Sequence, residues 1–119
     1  MRISQLHERF VAEITGLDTS VPPDPQTIDA FEAAMAADIC RGAMRLLLAH
    51  DLTALPEVTL PNGRRADLMA LAANGELTVV EIKSSREDFL TDRTWADYLP
   101  FADHFFFAVA PGFPLALLP

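Results

Sequence analysis

Asp67-Leu68-Met69-Ala70-Leu71-Ala72-Ala73-Asn74-Gly75-Glu76-Leu77-Thr78-Val79-Val80-Glu81-Ile82-Lys83 is two apolar runs joined across an Asn-Gly turn. Side chains on a strand alternate with period two, so Leu77, Val79, Glu81 and Lys83 share one face and Thr78, Val80 and Ile82 the other. Both faces are apolar, which describes a central strand covered on both sides. A carboxylate and an amine at the end of such a strand need partners or a cation. Asp67, Met69 and Leu71 share a face of the preceding strand, again with the acid farthest from the turn.

Register decides whether these groups meet. A two-residue Asn-Gly turn would pair Ala73 with Glu76 and set Asp67 opposite Ile82, away from Glu81. A three-residue loop, Ala73-Asn74-Gly75, pairs Ala72 with Glu76 and sets Asp67 opposite Glu81. Gly75 suits the left-handed position that such a loop requires. Upstream, Glu57-Val58-Thr59-Leu60 reads as a further strand, and Pro61-Asn62-Gly63 repeats the turn chemistry. Leu60 then pairs with Arg64, and Glu57 falls opposite Asp67. Three acids would lie in a row across three strands with Lys83 two residues along. Opposed like charges destabilise unless a cation sits among them. Oxygen-only ligands on a rigid sheet suit Mg²⁺ or Mn²⁺. The alternative is a satisfied structural ion cluster.

The rest of the chain completes an α/β pattern. Ile3, Leu6, Phe10, Ile14 and Leu17 recur at helical spacing over residues 3–17, and Asp18 to Pro25, with three prolines, reads as a linker. A long helix is expected from about Gln26 to His50, carried by Ile28, Phe31, Met35, Ile39, Ala43, Leu46 and Leu47. Ser85-Arg86-Glu87-Asp88 opens another over residues 85–99, ended by Pro100. His104-Phe105-Phe106-Phe107-Ala108-Val109-Ala110 suits a buried strand, and strand–helix–strand order implies parallel pairing. The apolar tail from Pro111 to Pro119 either packs on the core or leads into a further element.

Composition sets outer limits. The 119 residues make one domain of ordinary core size; half are hydrophobic and 22% charged, which excludes disorder for most of the chain. No apolar run reaches the roughly 18–20 residues of a membrane span, and the first residues lack a signal peptide's apolar stretch. Cys40 is the single cysteine, so neither an internal disulfide nor a thiolate zinc site is available. A reducing, cytoplasmic location is expected. The formal charge of −8 is the reverse of what holding nucleic acid by counterion release alone requires. His7, His50 and His104 show no ligand spacing, and no Ser-His-Asp order or Gly-rich phosphate loop is present.

Asp67 and Glu81-Ile82-Lys83 on successive strands after a helix resemble the core of the PD-(D/E)XK nuclease superfamily. The wider set Arg41-Gly42, Arg64-Arg65-Ala66-Asp67, Val80-Glu81-Ile82-Lys83-Ser84-Ser85, Asp88-Phe89, Asp92-Arg93, Trp95, Tyr98 and Phe105 to Val109 resembles the MmcB-like family of DNA-repair proteins. The resemblance implies a restriction-endonuclease-like α/β core. Its mixed four- or five-stranded sheet, an antiparallel meander followed by a parallel crossover strand, is flanked by helices. With residues 1–25 read as an N-terminal helix and linker, the resemblance makes 26–119 one nuclease-like domain. That domain stops short of the strand and helix with which the superfamily usually continues. It further implies that Asp67 and Glu81 hold the metal and Lys83 stabilises the attacking water or phosphate charge. The superfamily's additional acid often comes from the first helix, where Asp38 stands; Glu57 is the other candidate.

Arg64 and Arg65 flank the site and either touch phosphate or belong to a solvated turn, and Ser84 is a further substrate-side candidate. Trp95 and Tyr98 either stack on bases or pack in the core. Asp88 and Asp92 read as helix-surface charges, with Lys83 or Arg93 open to Asp92 as partner. The function expected is Mg²⁺- or Mn²⁺-dependent hydrolysis of DNA in repair, with DNA as partner and no membrane. The alternative keeps the fold as a non-catalytic module binding DNA or a repair partner. A homodimer or a repair-protein partner fits either.

Overall fold

The Asn-Gly turns set the sheet. In a computed structural model, which describes residues 2–5 and 25–119, the Leu60 amide donates to the Arg64 carbonyl and the Ala72 amide to the Glu76 carbonyl. Gly63 and Gly75 have φ of 84° and 87°. Both are the left-handed position of a three-residue loop, which glycine occupies without a Cβ penalty. These turns join β2 (Thr53–Thr59), β3 (Arg65–Leu71) and β4 (Leu77–Lys83) into an antiparallel meander. β5 (His104–Val109) then pairs parallel to β4.

A fifth strand, β1 (Arg2–Gln5), pairs parallel to the outer edge of β5, with Ile3 opposite Phe105. The sheet order is β1-β5-β4-β3-β2. This corrects the helix expected from residue 3: β5 offers an unpaired edge, and the first residues satisfy it. Leu6, Phe10, Ile14, Leu17 and the proline-rich segment up to Asp24 lie outside the described residues.

α1 (Pro25–Ala49) covers one face of the sheet. Ile39, Ala43 and Leu47, four apart, are fully buried against Leu68, Ala70, Val80 and Ala108. The other face is covered by α2 (Arg86–Thr91), a 3₁₀ helix over Trp95–Phe101, and the tail. There Phe105, Phe107 and Val109 pack with Val79, Tyr98, Phe113 and Leu118. The tail therefore closes the core. No helix among the described residues is long and apolar enough to cross a membrane.

Two further boundaries differ from expectation. β2 begins four residues before Glu57 and runs through Pro56, which an edge strand tolerates because one side of its backbone needs no ladder bond. The single helix expected over 85–99 is two pieces, broken at Asp92, whose backbone is extended (φ −81°, ψ 116°). Its side chain accepts from the Thr94 amide and hydroxyl, at 2.7 and 2.8 Å, and this local competitor ends α2. Pro100 lies inside the following 3₁₀ helix instead of ending the segment.

Candidate active site

β3 and β4 are paired from Leu71 and Leu77 to Leu68 and Val80. One step further along that register Asp67 faces Glu81, and here side chains replace the backbone ladder. Glu81 Oε1 accepts from the Asp67 amide at 3.1 Å, and Asp67 Oδ2 accepts from the Ile82 amide at 2.8 Å. Strict alternation also fails at this point. Leu68 and Ala70 pack toward α1, whereas Ala66, which a regular strand would put beside them, packs in the opposite cluster. Asp67 is thus the residue at which β3 changes face, and the period-two placement expected for it does not carry through.

The two carboxylates share little water. Glu81 is 4% exposed and Asp67 half-buried. Burial first, and then the neighbouring Asp67 charge, push the Glu81 carboxyl up to about 8, against the opposing pull of the Asp67 amide and Lys83. Burial likewise raises Asp67, opposed by the Ile82 amide, Lys83 and a side-chain hydrogen bond with Glu81. Without a cation, burial and the mutual repulsion of the two carboxylates favour a proton on the pair, on Glu81 above all.

Lys83, the only lysine in the chain, is 5% exposed. Its Nζ lies 2.6 Å from Asp92 Oδ2. Burial alone would raise Asp92, but hydrogen bonds from Lys83 and from the Thr94 amide and hydroxyl outweigh it and hold this carboxyl below its usual range. Asp92 is therefore a half-buried partner of Lys83 and not a free surface charge; of the two partners open to it, the structure selects Lys83. Asp88 Oδ2 accepts from the Ser84 amide, and Ser85 Oγ accepts from the Asp88 amide, the reciprocal cap that starts α2.

Asp67, Glu81, Lys83 and Asp88 border a cavity of about 560 Å³ at the end of the sheet. Its wall takes Asp67, Glu81, Ile82 and Lys83 from β3 and β4, Pro56 and Glu57 from β2, Asp88 from α2, and Ala36, Ala37 and Cys40 from α1. Burial, then the charges of Asp67 and Glu57, raise the Cys40 thiol, which keeps it protonated and unreactive. Glu57 is exposed and sits between the paired residues Pro56↔Leu68 and Val58↔Ala66, opposite Asp67. Its φ is +55°, a conformation a non-glycine residue adopts only when its surroundings impose it.

The other expected site residues lie elsewhere. Asp38 pairs with Arg41 one turn along α1 and does not line the cavity. Arg64 donates from Nε to Asp97 Oδ2 at 3.1 Å beside the first turn, and Arg65 is exposed, its carbonyl accepting from the Tyr98 hydroxyl at 3.0 Å. Trp95 packs against Phe105 and Phe107, and Tyr98 against Phe105, so both rings belong to the core in this structure. Burial and the nearby Glu81 and Asp67 charges push the Tyr98 hydroxyl up to about 12.

Chemically, Asp67 and Glu81 keep one oxygen each that no backbone amide engages. Among the described residues no three His, Cys, Asp or Glu side chains form a metal-binding group. The donor set is thus two carboxylates. That suits Mg²⁺, which is commonly held through one or two carboxylates and retains several waters. It does not suit zinc, whose protein sites take three or four ligands, mostly His nitrogen and Cys sulfur with at most a carboxylate among them.

The family model described as DNA repair protein MmcB-like matches residues 23–119. No curated protein matches the chain. Among solved structures, the SPO1766 protein of unknown function from Silicibacter pomeroyi is 44% identical, with a TM-score of 0.64. The match covers 68% of this chain and 56% of that one, so the chain spans little more than half the length of this relative.

Proposed function

Since the chain belongs to the MmcB-like family of DNA repair proteins, we propose that it is a metal-dependent DNA phosphodiesterase of the PD-(D/E)XK type. The observation that carries this reading is the meeting of Asp67, Glu81 and Lys83 at the wall of one cavity, where burial and the Asp67 charge push the Glu81 carboxyl up. Desolvating two acids against each other is costly in a merely structural role and useful in a cation site. In this reading Asp67 and Glu81 hold Mg²⁺ or Mn²⁺ through their free oxygens.

A bound divalent cation supplies Lewis-acid polarisation of a phosphoryl oxygen and acidifies a water nearby. Lys83 adds a fixed positive charge beside the acids, where a phosphodiester gains negative charge as it is attacked. Arg65, exposed at the start of β3, adds positive charge two residues from Asp67, whereas the Arg64 charge is paired with Asp97. With a formal charge of −8 the protein draws little on bulk electrostatics, so affinity for DNA depends on these local groups, the cation or a partner protein.

One observation favours the second reading, a non-catalytic module that binds DNA or a repair partner. Each carboxylate already satisfies a backbone amide, and Lys83 is already paired with Asp92. A panel of labelled DNAs (nicked, flapped, single-stranded and duplex) incubated with Mn²⁺ separates the two. Cleavage by the wild type that is lost in Lys83→Ala supports the enzyme. Binding of DNA with no cleavage of any substrate leaves the module.

A further inference from the structure

The ammonium of Lys83 makes its hydrogen bond to Asp92, outside the sheet, while its charge also acts on Asp67 and Glu81, which share the wall of one cavity with it. A lysine ends a flexible four-carbon stem, so its head goes to the best fixed acceptor in reach. Asp92 is fixed. It follows directly on the last residue of α2, its Oδ1 is held by the Thr94 amide and hydroxyl at 2.7 and 2.8 Å, and only Oδ2 is presented to Lys83, at 2.6 Å. The pair is sequestered, with side chains 7% and 15% exposed, so water does not compete for either partner. Were Asp92 absent or free to turn, the nearest remaining negative charge would be the Asp67–Glu81 pair. The ammonium would then settle where the free oxygens of that pair point, as a tethered internal counterion.

We propose that Asp92 is a positioning residue: clamped by Thr94, it holds the Lys83 ammonium beside the Asp67–Glu81 carboxylates and off them, so that those carboxylates stay open to a divalent cation. This rests on the reading of that pair as a cation site. It adds that the break between α2 and the 3₁₀ helix is a working part of the site, because an unbroken helix could not turn the Asp92 carboxylate back onto Thr94. The segment that ends α2 and the strand that carries Glu81 are thereby joined through one ion pair.

Charge alone must be separated from position. Removing Asp92's charge would weaken cation binding by simple electrostatics, so the informative variants keep every charge. Thr94→Val removes only the hydroxyl that clamps Asp92, and Asp92→Glu keeps the carboxylate but lengthens its arm. Binding of Mn²⁺ alone is measured by electron paramagnetic resonance of the free ion, each variant first shown to melt cooperatively. Both should bind Mn²⁺ more weakly, by roughly tenfold, as changes in the residues that orient a metal site's neighbours typically do. The same changes made on a Lys83→Met background should leave Mn²⁺ affinity at the Lys83→Met value, because no ammonium remains to fall onto the acids. Should Asp92→Glu fail to fold, Thr94→Val carries the test. Equal Mn²⁺ affinity in wild type and the single variants overturns the positioning role while leaving the cation site standing. A loss that persists on the Lys83→Met background also overturns it, since the effect would not pass through Lys83. A wild type that binds no Mn²⁺ overturns the cation site itself, and this proposal with it.

Discussion

Asp67 and Glu81 each take a hydrogen bond from the other's strand where β3 and β4 stop pairing: Glu81 Oε1 from the Asp67 amide, Asp67 Oδ2 from the Ile82 amide. Each carboxylate thus does the work of a missing carbonyl, and the strand ends stay in register without a continued ladder. The arrangement costs desolvation of two acids at one place, and the protein meets that cost by keeping a proton on Glu81.

That proton gives stability a definite pH dependence. Glu81, raised to about 8 from an ordinary 4.5, and Asp67, raised in the same direction, hold protons in the folded state that the unfolded chain has already released. Stability therefore declines as pH rises across that interval, because the folded state binds more protons than the unfolded one. Metal-free melting temperatures measured from pH 5 to pH 9 should fall. Glu81→Gln should flatten most of the slope and melt higher than wild type at pH 9. A wild-type melting temperature that rises across this range would show that the pair is not desolvated as described.

Cation binding should run the other way. A divalent ion must displace the proton, so its affinity increases as pH passes through about 8. Millimolar Mn²⁺ should raise the melting temperature more at pH 8.5 than at pH 6.5; saturation to a hundredfold over Kd corresponds to about 2.7 kcal/mol. Asp67→Asn and Glu81→Gln should show no such shift at either pH. Calorimetric titration in buffers of different ionisation enthalpy measures the released proton directly.

Removing the two ends of the Lys83–Asp92 pair should not be equivalent. Lys83→Met keeps the apolar stem volume and leaves Asp92 with its two Thr94 donors, a loss of about 1–2 kcal/mol. Asp92→Ala takes the fixed partner from an ammonium that is 5% exposed and leaves it only the Asp67–Glu81 pair to fall onto, so it should cost more than Lys83→Met but less than the about 3–5 kcal/mol of a buried charge left with no partner. Urea denaturation of both variants checks the order. In the cleavage assay Lys83→Met should be inactive although folded, so stability and activity respond to different ends of one contact.

Much of this arrangement was legible in the residues, for reasons that separate what was from what was not. The hairpin registers follow from Asn-Gly turns, whose backbone requirement is local, and with them the facing of Asp67 and Glu81. α1 and β5 follow from long, consistent apolar periods. β1 was not legible because Ile3 fits the helical spacing that runs on to Leu17, and only the open edge of β5 selects a strand. The break at Asp92 was hidden because Asp92 lies at helical spacing from Phe89 and Trp95. What ends the helix there is the competition of Thr94 and the buried Lys83 for that carboxylate. Stacking or core packing for Trp95 and Tyr98 was undecidable from an aromatic at helical spacing, since either use needs the same residue. The facing of Asp67 and Glu81 could be read from their strand-end positions; the face change at Asp67 and the left-handed Glu57 have no signature in residue type.

Glu57 offers a test in which backbone and side chain are read separately. A glutamate at φ +55° in an edge strand costs roughly 1–2 kcal/mol relative to an unstrained residue, while glycine there gives back about 0.5–1 kcal/mol in unfolded-state entropy. Glu57→Gly should therefore leave stability unchanged or raise it slightly. Glu57→Val, whose branched Cβ tolerates the left-handed region least, should lower it by at least 1 kcal/mol. Glu57→Gln keeps the backbone problem and removes only the charge. It should leave the melting temperature near wild type, because Glu57 is exposed. If Glu57 joins Asp67 and Glu81 around a cation, Glu57→Gln should also weaken Mn²⁺ binding without the Lys83 dependence expected of Thr94→Val. If instead the strained backbone serves only to turn β2 around the point where β3 changes face, Glu57→Gln should bind Mn²⁺ as wild type does, and Glu57→Gly should keep both stability and cleavage.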